Sequence, residues 1–483
     1  MSRYLNISFP VLIAVVVTLL TSCNTTTTEE DTQDYCYISE MTIGSLQRTI
    51  VKRVDHDKTI TTRSIIYTTG WPFTVDQINN KIYNRDPLPT GCSRRTLLSI
   101  TYKGKNLLYR PHSASEAFGW IAYSSSDSID IPEDGGVDFL VNGADGSSRV
   151  YNIQLNIHKQ ERGDWTWHDK SKGLNMNDWT EARITSIGDK VFLYGRNNNG
   201  WQSWCSTDGG AWESITLSGL PETAAIASIV SDGEKLYTYD GEGNVWQSEN
   251  GAVWTEQGIT DVKRLVCVTA ARLYDIKDGK LRSASLNEDS EWREEVLDNT
   301  PTSMGNFIDV DSVRCLFYET SNYLKRILLV GTLKHPEKDD EKDELTAPEW
   351  CKMWTAPEDE ARREWNYYAP SWVNKYGLPA MKPLGVQRSG SQLVGFGGAT
   401  TNTPAITPLN LLYVSSDNGL TWRTDGLNYL PDELWGKNCA WLSSTTDEDE
   451  YVWIVARVND TETYVVRGRQ NGIGFDYLQE GQE

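Results

Sequence analysis

Five histidines in 483 residues leave little room for imidazole chemistry. Beyond residue 164 only His168 and His335 remain, far apart in the chain and without the spacing of metal ligands. No H-E-x-x-H, P-loop or G-x-S-x-G sequence occurs, which removes the common zinc-protease, nucleotide-cradling and serine-hydrolase arrangements. None of the 8 cysteines has C-x-x-C spacing. Positive charge is in deficit: 46 Lys plus Arg against 67 Asp plus Glu give a net charge of −21, which opposes nucleic acid and anionic membrane surfaces. No long stretch carries the helical apolar period, and nothing in the sequence asks for a cofactor or a metal. The acidic run His335 to Glu344 admits a divalent cation, but its interleaved lysines favour a solvated loop.

What is present points to an all-β protein: 19 Trp and 23 Tyr, with frequent Gly-Asn and Asp-Gly turns. One stretch recurs. Ser415-Ser416-Asp417-Asn418-Gly419-Leu420-Thr421-Trp422 reads S-x-D-x-G-x-T-W. Ser206 to Trp212 is a form one residue shorter, built on Asp208, and Ser248 to Trp254 repeats it on Asn250. Worn copies run from Ser285 to Trp292, with Asn287, and from Arg469 to Phe475, with Asn471. Asp or Asn followed by Gly closes a tight turn, because the short side chain bonds nearby backbone N–H groups and Gly takes positive φ. The aromatic then opens the next strand and buries a large apolar surface. These residues mark a fold; they do not carry chemistry.

The stretch resembles the Asp-box of sialidase-type β-propellers, in which it joins the third and fourth strands of a blade on the face opposite the ligand. The R-I-P element that precedes the first box in sialidase-like enzymes does not occur as a triplet. The resemblance therefore covers the boxes and not an active site, and no catalytic residue is assigned. Box aromatics follow one another at 42 residues from Trp212 to Trp254, then 38 to Trp292, 73 to Trp365, 57 to Trp422 and 53 to Phe475. Six blades result, with seven open if 300–365 holds two; blade two is expected to begin with the strand Ile226–Val230, and Gly397 to Thr403 to form an inserted loop of blade five. Asp164-Trp165-Thr166-Trp167 looks like a fourth strand lacking its first three, so it is expected to complete the last blade. Closure by 475–478 is the alternative.

Residues 1–23 read as a targeting segment. Arg3 precedes an apolar run from Ile7 to Leu20, too short to span a bilayer comfortably, and Leu20-Thr21-Ser22-Cys23 resembles a bacterial lipobox. That resemblance implies an acylated Cys23 and attachment to the outer membrane through lipid alone. A polar tether, 24–35, carries Glu29-Glu30-Asp31, which resembles the surface-export signal of Bacteroidetes lipoproteins and implies display to the exterior. Residues 36–160 contain no box. Val137 to Val141, a turn at Asp145 to Ser148 and the alternation Tyr151, Ile153, Leu155, Ile157 read as a hairpin with one buried face. Further strands are expected at Thr59–Tyr67 and Leu97–Tyr102. The module resembles immunoglobulin-like or cadherin-like β-sandwiches. Seven cysteines remain after Cys23, and Cys36 with Cys92 is the one pairing suggested. The propeller is expected over 164–483.

Lipobox, immunoglobulin-like module and degenerate Asp-box propeller together resemble a group of Bacteroidetes surface lipoproteins. Long connections after blades four and five carry Tyr368, Trp372, Tyr376, Tyr429 and Trp435, and sugar rings stack on such aromatics. The alternative is that these rings pin long loops to the blades. The leading reading is a non-catalytic lipoprotein capturing glycan or glycoprotein. A glycoside hydrolase or lyase with a different carboxylate site, and a scaffold bound to an outer-membrane protein, are the competing readings.

Overall fold

A computed structural model describes residues 35–475, apart from 56–57, 288–290, 299–308, 310–311, 321, 333–349, 360–363, 369–375, 401–408, 410 and 425–428. Cys23, the tether as far as residue 34, Trp372, the run His335 to Glu344 and 476–478 lie outside the described residues. Residues 35–50 and 63–158 form one compact unit; residues 51–62 and the chain from 159 onward form the other.

In the first unit, Tyr37–Ile43, Arg95–Lys103 and Ser128–Asp130 form a three-stranded sheet. Six strands, among them Val137–Asn142 and Ser148–Gln154, form a second. One core lies between them: Ile38, Met41 and Leu98 from the first sheet meet Leu107, Phe139, Tyr151 and Ile153 from the second. The expected hairpin is present, with Val137 opposite Ile153 and Asn142 opposite Ser148. Its alternation holds because Tyr151 and Ile153 face that core. The suggested Cys36–Cys92 bridge is not formed. Cys36 Sγ accepts from Ser147 Oγ at 3.4 Å, and Cys92 is buried and forms no disulfide. The thiols that do meet, Cys267 and Cys315, sit on neighbouring blades. Burial, and then the hydrogen bond to Cys267, push the Cys315 thiol well above its ordinary range.

The second unit contains six antiparallel sheets. Blades one to four run over 181–215, 230–256, 265–294 and 314–368. Blade five has three strands, from Met381 to Ser415, extended by a bridge from Val414 to Arg423. Blade six takes Cys439–Thr446, Val452–Val458 and Glu462–Gln470, and its outer strand is Trp165–Asp169. Trp165 lies opposite Gln470 and Asp169 opposite Val466, so the ring closes by joining the start of the domain to its end. Asn471 locks the joint: its N–H donates to Asp164 O at 2.8 Å and its Oδ1 accepts from Thr166 Oγ1 at 2.9 Å.

The apolar core of this ring lies between blades. Phe192 and Tyr194 of blade one meet Leu236 and Trp254 of blade two. Equivalent clusters fill the two–three, three–four, four–five, five–six and six–one seams. Each seam holds one tryptophan in the fourth-strand position whose N–H reaches the chain leaving the preceding blade, or whose residue bridges it. Trp212 Nε1 donates to Lys170 O at 2.8 Å, Trp292 Nε1 to Thr260 O at 2.8 Å and Trp167 Nε1 to Tyr429 O at 3.1 Å. Backbone N–H groups of Trp254 and Trp422 donate to Ser218 O and Tyr376 O, each at 2.9 Å, and Trp365 bridges Leu297. Trp167 thus does for blade six what the box tryptophans do elsewhere.

The box turns behave as their residues demand. Asp417 Oδ1 accepts from Thr421 N and Ser415 Oγ, both at 2.8 Å, and Gly419 has φ 93°. Gly251 has φ 71°, and a Cβ there would run into the Phe192 ring. Two segments differ from expectation. The first strand of blade two, expected from Ile226, begins as a 3-10 turn over Ile226–Ser228 because Ser228 N and Ile229 N bond locally to Ala225 O and Ile226 O. Gly397 and Gly398, expected in a loop, lie inside the strand Gln392–Thr400, where a Cβ would meet the Pro383 and Lys382 carbonyls.

Trp422 is 2 % exposed and its indole donates to Gly419 O, so Trp422→Ala is expected to cost about 3–5 kcal/mol in urea unfolding. Leu420→Ala, on the exposed tip of the same turn, should cost less than about 0.5 kcal/mol. Burial raises the Asp417 carboxyl, but hydrogen bonds from Thr421 and Ser415 outweigh it and hold the pKa below the ordinary value. A carboxyl so held stabilises the fold above its unfolded pKa of about 3.9, and that contribution fades as pH falls through the lower folded value. Melting curves below about pH 4 should therefore fall less steeply for Asp417→Asn than for the parent.

Candidate functional site

The innermost strand of every blade starts on the face reached by the fourth-to-first connections, so six strand starts converge on the axis. Alternation along these strands sorts the side chains. In Glu181–Ile187, Ala182 and Ile184 enter the seam with blade six, while Glu181 and Arg183 line a central channel. The channel encloses about 390 Å³ and takes residues from all six blades. Its walls are pinned blade to blade: Ser443 Oγ accepts from Ile184 N at 3.1 Å, Gln387 Nε2 donates to Ser444 O at 2.9 Å and Ser231 Oγ donates to Ser186 O at 2.6 Å.

The electrostatics of this channel run against the net charge of the chain. Arg183, Arg264 and Arg314 line it, and Glu181 is the single carboxylate among its described lining residues. Arg314 is held in place, Nε donating to Leu384 O and Nη1 to Val313 O, both at 2.9 Å. Arg183 Nε is enclosed and has no hydrogen-bond partner. Burial, and then the Arg314 guanidinium, lower the Arg183 pKa to about 10, which leaves it protonated at neutral pH.

A larger hollow of about 840 Å³ opens at the closure of the ring, between the first turn of blade five and blade six. Of its two arginines, Arg162 and Arg469, the second stacks 4.4 Å from the Tyr451 ring and donates to Asp449 O at 3.2 Å, so that guanidinium is already engaged. It lies on the side of the box turns.

Among the described aromatic residues proposed from sequence as a sugar platform, Tyr429 and Trp435 are brought into contact, while Tyr368 and Tyr376 belong to the preceding seam. Tyr368 ends the outer strand of blade four and packs on the four–five seam. Tyr376 supplies the carbonyl that receives Trp422 N–H; its ring is 47 % exposed, with Arg423 above it at 5.0 Å. Tyr429 supplies the carbonyl that receives the Trp167 indole, one seam further on. Trp435 is only 4 % exposed, its ring 4.6 Å from that of Tyr429. Trp372 lies outside the described residues. The physical reason is position: connections rich in aromatics after blades four and five are the segments each next tryptophan must grip. The channel arginines were missed because a charged residue inside an apolar strand was not weighed. The readable signal was Arg183 between Ala182 and Ile184, with Arg264 and Arg314 heading apolar strands.

With this geometry in hand, residues 163–478 match the family described as "DUF6242 beta propeller domain", and residues 41–155 match the DUF6242 N-terminal domain, a domain of unknown function. No match was found among curated proteins. Among solved structures, YCF48 from Cyanidioschyzon merolae is 11 % identical, with 64 % of this chain and 100 % of that chain covered and a TM-score of 0.32. A subtype N10 neuraminidase-like protein associated with the little yellow-shouldered bat is 11 % identical, covering 64 % and 99 %, with a TM-score of 0.36. A mutant of Trypanosoma rangeli sialidase displaying trans-sialidase activity is 9 % identical, covering 65 % and 58 %, with a TM-score of 0.35. These likenesses concern the propeller fold alone.

Truncating Trp435 should therefore act on the fold. Trp435→Ala is expected to lower stability by about 3–5 kcal/mol in denaturant titration, while Tyr376→Ala stays within about 1 kcal/mol of the parent.

Proposed function

We propose that this protein, which belongs to the DUF6242 family through both its amino-terminal domain and its β-propeller, is a binding protein that captures a glycan or glycoprotein at the mouth of its central channel. The observation that carries this reading is the makeup of the channel wall. Guanidinium and hydroxyl groups from Arg183, Arg264, Arg314 and Ser228 suit an oxygen-rich ligand, and about 390 Å³ falls in the size range of small-ligand sites. Most glycoside hydrolases use two carboxylates about 5–10 Å apart across the scissile bond. The described wall offers only Glu181. Binding without turnover is the function that such a wall supports.

Acylation at Cys23 would hold the protein on the outer membrane, and the acidic tether supports display to the exterior. Membrane contact is then through lipid alone, with the propeller free to meet a soluble polymer or a glycoprotein. A scaffold role with an outer-membrane protein partner remains the competing expectation.

A glycan array probed with the chain from Asp34 onward tests this. Saturable binding is expected, and prolonged incubation with the strongest hit should release no shortened product by carbohydrate electrophoresis. Product release would make the protein an enzyme; silence across the array would remove the glycan reading.

A further inference from the structure

An enclosed guanidinium without a counter-charge costs free energy, because protein dipoles replace its hydration incompletely. Arg183 is in that condition. Its Nε has no hydrogen-bond partner, and it makes no ion pair among the described residues, Glu181 of its own strand included. The charge that acts on it is another cation, Arg314. Blades one and four stand opposite each other in a ring of six, and both side chains line the same channel. Arg314 is fixed there by two backbone carbonyls. Acidic residues are plentiful in this chain, yet none of the described ones is paired with Arg183.

Two guanidiniums lining one polar channel are suited to an oxyanion. Their planar forks match carboxylate and sulfate oxygens, and a bound anion would cancel the repulsion between them. We infer that Arg183 and Arg314 clamp an oxyanion on the propeller axis, supplied by a carboxylated or sulfated saccharide. This rests on the binding reading above and names the ligand chemistry of the same site. Arg264, on blade three, adds a third positive group to the wall.

The full-length chain, purified in mild detergent, is titrated with a galacturonate oligomer, a chondroitin sulfate oligomer and a neutral glucan oligomer. Sodium sulfate and sodium acetate are compared with chloride at matched ionic strength by thermal melting. Acidic oligomers are expected to bind at least about tenfold more tightly than the neutral one, a difference of about 1.4 kcal/mol. Arg183→Met should erase that difference while melting no lower than the parent without ligand, since it removes an unpaired charge at similar volume. Arg183→Lys keeps the charge but loses the fork, and should weaken acidic oligomers by about tenfold. Arg469→Ala, on the other face, should leave binding unchanged.

Equal binding of neutral and acidic oligomers, or acidic binding that Arg183→Met leaves intact, overturns the clamp while sparing the glycan reading. An Arg183-dependent rise in melting temperature with sulfate or acetate, but no saccharide binding, supports the clamp and removes the glycan reading. A response to only one acidic oligomer assigns the anion to carboxylate or to sulfate ester.

Discussion

Each seam of the propeller depends on a tryptophan that does two things at once. Its ring fills the apolar gap between two blades, and an N–H of the same residue grips the strand leaving the preceding blade, as at Trp212, Trp254, Trp292, Trp422 and Trp167. Trp365 holds the remaining seam by its bridge to Leu297. Indole suits this place because it combines a large apolar body with one polar handle. The arrangement joins packing to chain path: a blade cannot bury its tryptophan without also fixing where its neighbour ends. Because the apolar clusters lie between blades, each blade depends on its neighbours, and the six–one seam is complete only when the ring closes. Closure falls to Trp165–Asp169, where Trp165 and Trp167 stack at 5.1 Å.

The channel is a consequence of that ring. Six strand starts meeting at an axis leave a gap that side chains line but do not fill, and alternation along each strand decides which residues face it. Arg183 faces the axis because Ala182 and Ile184 face the seam. A net charge of −21 describes the outer surface; the axis carries the opposite sign. Polymer of like charge would meet an acidic exterior and a basic mouth, which restricts productive approach to one face.

Much of the fold was legible because its determinants are local. The turn at Asp417 is written in consecutive residues, and so is the alternation from Tyr151 to Ile153. Trp365 could be placed by spacing alone, although its box is eroded. Three readings turned on contacts that only the folded chain shows. Tyr376, Tyr429 and Trp435 have the chemistry of a sugar platform and also of a loop pin, and sequence does not separate the two. The start of blade two curls into a 3-10 turn through bonds between residues only three apart, which apolar patterning does not reveal. Cys36 and Cys92 stay unbridged, while Cys267 and Cys315 meet because adjacent blades bring their strands together.

By itself the sequence determined the repeat, since turn chemistry and spacing in short motifs are one-dimensional; it favoured six blades closed by 164–167, and the folded ring decided against seven. Tertiary structure alone decided what stands opposite what. Residues 183 and 314 are 131 positions apart, and no local pattern relates them; only closure of six blades brings both to the lining of one channel. Seams, pins and the charged axis are all properties of that closure, because they arise between blades and not within them.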